Sequence, residues 1–130
     1  MQDFRKLDVW VKAHELAVRA YLETQQKSDR AFPGLTAQMR RAASSIPANI
    51  AEGCGHASQR ELARFLQHAM ASAQELSYHL LLAKDVQVLP PAAYARLDAR
   101  TSQVCQMLAG LLKRVRAQPK PLPPRSPSRL

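Results

Sequence analysis

The sequence predicts an all-α protein: an antiparallel up-down four-helix bundle over residues 1–116, followed by a disordered, basic, proline-rich tail over residues 117–130. Three observations predict it. The apolar fraction is 46% while aromatics are 5% and glycines number 4, which suits helices packed through small and medium side chains. Four segments carry a helical apolar period, and short breaks rich in Pro, Gly or Ser separate them. In the fourth, Tyr94, Leu97, Thr101, Val104, Leu108, Leu111 and Val115 step alternately by three and four, a heptad seam.

The first helix is expected over about residues 7–27, with Asp8 as an acid in its first turn. Its polar side chains Lys12, Glu15, Arg19 and Glu23 form one narrow stripe, and apolar side chains fill nearly everything else. A surface helix needs an apolar arc of only about 100°. The surplus here predicts a second face that meets another chain. "RAFPGL" then breaks the chain before a second helix over about residues 36–51. Pro47 lies inside that helix, where it cannot donate to the carbonyl of Ala43, so a kink is expected. Gly53 or Gly55 is expected to supply a left-handed C-terminal cap.

The third helix opens on Ser58-Gln-Arg-Glu61, a capping-box spacing, and runs to about Val86. Leu62, Phe65, Leu66, Ala69, Ala73, Leu76, Leu80 and Ala83 form its core face, leaving Tyr78, Leu81 and Leu82 outside it. "LPPAAY" ends this helix and starts the fourth, with Pro91 suited to a first helical position. Beyond Arg116, "AQPKPLPPRSPSRL" contains five prolines and is expected to be partly polyproline-like.

The net charge of +9 is unevenly spread. Lys113, Arg114, Arg116, Lys120, Arg125 and Arg129 lie in a C-terminal stretch without a single acid, so the body is only mildly basic. Such a stretch suits a polyanion, nucleic acid before membrane surface. On the body, Arg40, Arg41, Arg60 and Arg64 are the further candidates for phosphate contact, Arg60 and Arg64 being one helical turn apart. No aromatic reading platform or recognition helix is evident, so binding is expected to follow shape and charge with little base readout. No run of 18 apolar residues occurs, so no membrane partner is expected, and "MQDFRKLD" lacks a signal-peptide core. Two cysteines, Cys54 and Cys105, have neither ligand spacing nor a disulfide pattern, in keeping with a reducing cytoplasm.

Candidate chemistry is sparse. His68, Glu75 and His79 fall on one side of the third helix, and His14 on the first would add a nitrogen if the two faces met. The Glu-x-x-His spacing of di-iron bundles is absent, so boundary polar residues are the better explanation, and no metal or other cofactor is expected. Ser44, Ser45, Cys54 and Cys105 lack a neighbouring base and oxyanion site. No glycine-rich phosphate loop is present, and the expectation is a protein that is not an enzyme.

"GLTAQMRRAASSIPANIAEG", followed by "FLQHAMASAQELSYHL" and preceded by "FRKLDVWVKAHELAVRAY", resembles the four-helix-bundle family of bacterial 23S rRNA intervening-sequence proteins. The accessory variability determinant of diversity-generating retroelements is a relative of that family. The resemblance spans about residues 4–116. It implies a homo-oligomeric ring of five copies and, more loosely, association with RNA or DNA. Two departures stand out: Ala71 replaces a frequent glycine beside Ser72, and the connection from Gly55 to Ser58 lacks a basic residue. Pro47, Asn49, Glu52 and Gly53 in the long run are expected to be structural, with Asn49 and Glu52 bonding backbone groups freed by Pro47 or capping a neighbouring chain. The leading expectation is therefore a non-enzymatic, cytoplasmic, self-associating bundle that binds nucleic acid. The alternative is an adaptor ring for a protein partner, with the tail as a proline-rich docking segment.

Overall fold

A computed structural model describes residues 3–25 and 32–117. A 3₁₀ turn, Phe4–Lys6, leads into α1 (Asp8–Glu23), α2 (Pro33–Cys54), α3 (Gln59–Asp85) and α4 (Pro91–Ala117). Each helix packs antiparallel on the next and α1 also packs on α4, so α1 and α3 occupy diagonal corners. No strand occurs among the described residues, and no helix among them is long and apolar enough to cross a membrane. The predicted tail, with Lys120, Arg125 and Arg129, lies outside the described residues.

The core is a single stack of Leu, Ile, Val, Met and Ala from all four helices. Leu16, Met39, Ile46, Ile50, Leu66, Leu76, Leu80, Leu97 and Leu108 are fully buried, each contributing on the order of 1.5–3 kcal/mol by burial. The α3 face is as the period predicts, except that Leu62 and Phe65 are only half-buried. In α4 the seam shifts at its end: Leu112 is buried and Leu111 sits at the margin, so the buried positions step by four and then three from Leu108 to Val115.

Helix boundaries differ from expectation at three points. Within the described residues, α1 ends at Glu23 rather than near residue 27, because Thr24 turns the chain and its hydroxyl donates to the Ala20 carbonyl at 2.6 Å. Helix α2 starts three residues early, since Pro33 suits a first turn whose N–H groups have no helical partner anyway. The same helix continues unbroken through a buried Pro47 to Cys54. No left-handed glycine cap follows. Gly55 has φ −76°, and its N–H and that of His56 close the end with 3.1 and 3.2 Å bonds to the carbonyls of Glu52 and Gly53. The left-handed cap belongs instead to Gln87, φ 64°, after α3. There Val88 N–H bonds Ala83 O at 2.8 Å and Gln87 N–H bonds Lys84 O at 3.0 Å, a Schellman closure with Val88 buried beneath it.

Candidate nucleic-acid interface

The antiparallel order carries the end of α2, the start of α3 and the end of α4 to one end of the bundle. Arg60, Arg64, Lys113, Arg114 and Arg116 are gathered there, all exposed. A cleft of about 210 Å³ between the α2–α3 connection and α4 is lined by His56, Ser58, Gln59 and Arg114. Beside it, Arg116 donates to Gln67 Oε1 at 2.8 Å, which fixes the guanidinium across the α3–α4 seam near Lys113. Lys6, in the turn before α1, lies towards the same end, a cation that no pattern along the chain singles out.

Not every candidate arginine is equally available. Arg64 donates to both carboxylate oxygens of Glu61, at 3.3 and 3.1 Å, and lies 4.7 Å over the Phe65 ring. That bond holds the Glu61 carboxyl below its ordinary value. The Ser58 hydroxyl accepts from Glu61 N–H at 3.0 Å, so the cap forms from that side while the carboxylate faces Arg64.

Arg40 is elsewhere and otherwise engaged. Its Nε donates to Thr24 Oγ1 at 2.9 Å, and its Nη2 donates to the carbonyls of Thr24 at 2.8 Å and Tyr21 at 3.4 Å. It therefore caps the end of α1 from the opposite end of the bundle, its planar group lying over the Tyr21 ring. Arg41 is exposed on α2, away from the cluster. The ten candidates thus divide into Arg40 and Arg41 towards one end, five gathered at the other, and three outside the described residues.

The structural motif resolves into separate tasks. Asn49 donates to the Ser45 carbonyl at 2.8 Å and to Ser45 Oγ at 3.0 Å, while Ser45 Oγ meets Ser72 Oγ at 2.8 Å and ties α2 to α3. The carbonyl served is that of Ser45 and not that of Ala43, the one Pro47 leaves without its helical donor. Glu52 is exposed. Gly53 is a packing position: a Cβ there would lie 3.0 Å from Phe65 Cβ and 3.1 Å from Leu62 Cδ1.

The histidine set does not converge. His14 stacks on Trp10 at 5.0 Å on α1, diagonal to the helix bearing His68, Glu75 and His79. Among the described residues no group of three metal-ligating side chains forms. Burial pushes the thiols of Cys54 and Cys105 up, away from the nucleophilic thiolate. No disulfide links them.

Comparison with known proteins accords with this geometry. One solved structure is that of a protein of unknown function from the S23 ribosomal protein family of Bacteroides thetaiotaomicron. It superposes with a TM-score of 0.73 at 24% identity, covering 81% of this chain and 98% of its own. A search of curated proteins gives no match. The model of the 23S rRNA-intervening sequence protein family matches residues 5–110. The chain belongs to that family.

Proposed function

We propose that this protein is a non-enzymatic, self-associating bundle that binds RNA or DNA by charge and shape, with little sequence preference. The observation that carries the reading is the convergence of Arg60, Lys113, Arg114 and Arg116 at the bundle end from which the basic tail departs. Each phosphate neutralised releases counterions, and repetition around a ring multiplies the effect. Self-association is supported by outward apolar side chains, Val11 on α1 and Tyr78 and Leu81 on α3. The count of five rests on the family resemblance alone.

The test is a titration of structured RNA and duplex DNA across a salt series with the full chain and with Lys113→Glu/Arg114→Glu. The wild-type chain binds with a steep salt dependence, and the double variant lowers the slope by about one for each phosphate no longer neutralised. Absence of binding by the wild type at low salt rejects the reading. That result promotes the adaptor alternative, which the same outward apolar side chains favour and in which the tail docks a protein partner.

A further inference from the structure

At the corner where α2 turns into α3, the His56 imidazole stacks on the Phe65 ring, with centroids 5.1 Å apart and planes 15° from parallel. His68 meets the same ring edge-on at 5.7 Å, and the Arg64 guanidinium lies over it at 4.7 Å. We propose that this stack is a platform for one unpaired base of a single-stranded nucleic acid, which packs on the open face of His56. The proposal rests on the preceding reading and adds to it a preference for unpaired over paired strands.

The platform is built before any ligand arrives. Gly53 lets α3 approach until Phe65 Cβ lies 3.0 Å from where a glycine Cβ would sit, and Phe65 is thereby held half-buried against the end of α2. His56 N–H bonds the Gly53 carbonyl at 3.2 Å, which fixes the turn that carries the imidazole. Phe65 takes one face of that imidazole, and His56 itself is exposed, so the other face meets water. Offset-parallel contact is a geometry that ring systems favour. A ring already held in place costs little further entropy when a base settles on it.

The surroundings fit a nucleotide. Arg60 is exposed in the first turn of α3, and His56 lines the cleft of about 210 Å³ with Arg114 across it on α4, so cations border the ring from two helices. That volume is below the roughly 300–1,000 Å³ of a pocket for a drug-sized ligand, which suits one flat ring system. A duplex keeps its base faces inside its own stack, so only an unpaired base reaches a ring on the protein surface. Every base has a π-face, and the platform therefore adds no reading of base identity, in keeping with binding led by charge. His56 and Phe65 lie on different elements, so no pattern along the chain marks them as a platform.

The test compares the affinities of the full chain for a single strand and for a duplex of equal length, at one salt concentration, in RNA and in DNA. His56→Ala lowers the ratio of single-strand to duplex affinity about tenfold, the weight of one stacked base. His56→Tyr, which supplies a ring without an imidazole, restores the ratio. His56→Lys, which supplies a cation without a ring, does not. A fall confined to RNA or to DNA identifies the strand that the platform takes. An unchanged ratio in His56→Ala overturns the proposal, as does rescue by His56→Lys, and duplex binding with a steep salt dependence then leaves the charge reading standing. If the wild-type chain binds neither strand nor duplex at low salt, the charge reading fails and the platform falls with it.

Discussion

At Gly53 the bundle has no room for a methyl group, because α2 passes α3 with Phe65 Cβ 3.0 Å from where a Cβ would sit. Gly53→Ala gains about 1 kcal/mol of helix propensity. Phe65 Cβ moves only if its helix moves, so overpacking of about 1–3 kcal/mol prevails. Thermal unfolding should show a lower Tm for the variant. Gln87 is the converse case. It holds φ 64° without being glycine, so Gln87→Gly relieves backbone strain at a cap whose bonds are already formed. After the larger unfolded-state entropy of glycine is subtracted, a gain of about 0.5 kcal/mol is expected, seen as a small rise in Tm. A glycine near the end of an apolar run suggests a cap from sequence. Only its neighbour across the interface distinguishes a cap from a close approach.

At the scale of elements, the capping of α1 decides how the arginines are divided. Thr24 and Arg40 are 16 positions apart, and together they satisfy the last carbonyls of α1. Arg40→Ala removes three hydrogen bonds that are partly open to water, at a cost of about 1–2 kcal/mol, with little effect on the salt slope of RNA binding. Arg41→Ala changes stability by less than about 0.5 kcal/mol. Paired denaturation and binding curves separate the two, and equal destabilisation would remove the capping role. Helices α3 and α4 start where their sequence signals place them, at Ser58 and Pro91, because a cap acts on the backbone within one turn. The end of α2 is not legible in that way, since closure by Gly55 and His56 N–H groups needs no left-handed residue.

At the scale of the whole molecule, the ladder of ion pairs Glu23–Arg96 at 2.6 Å and Glu15–Arg100 at 3.8 Å fastens α1 to α4 on one side. The Glu23 carboxylate raises the Arg96 guanidinium above its ordinary value. Those acids offset cations along the α1–α4 side, while Lys113, Arg114 and Arg116 end a helix whose last turn has no acid. The salt titration belongs at this scale. Substitution of Lys120, Arg125 and Arg129 together should lower the slope further than Lys113→Glu/Arg114→Glu alone, and an unchanged slope would confine binding to the folded body.

The sequence by itself determined the four helices, their antiparallel order and nearly all of the core, because an apolar period is a local property and a buried face repeats with it. It also determined that cations accumulate after Lys113. Tertiary structure alone decided which of them are available and which end gathers them. Arg40 with Thr24, Gly53 with Phe65 and Glu23 with Arg96 meet only once helices pack in one register, and that register depends on side-chain shapes across the interface rather than on any pattern along the chain.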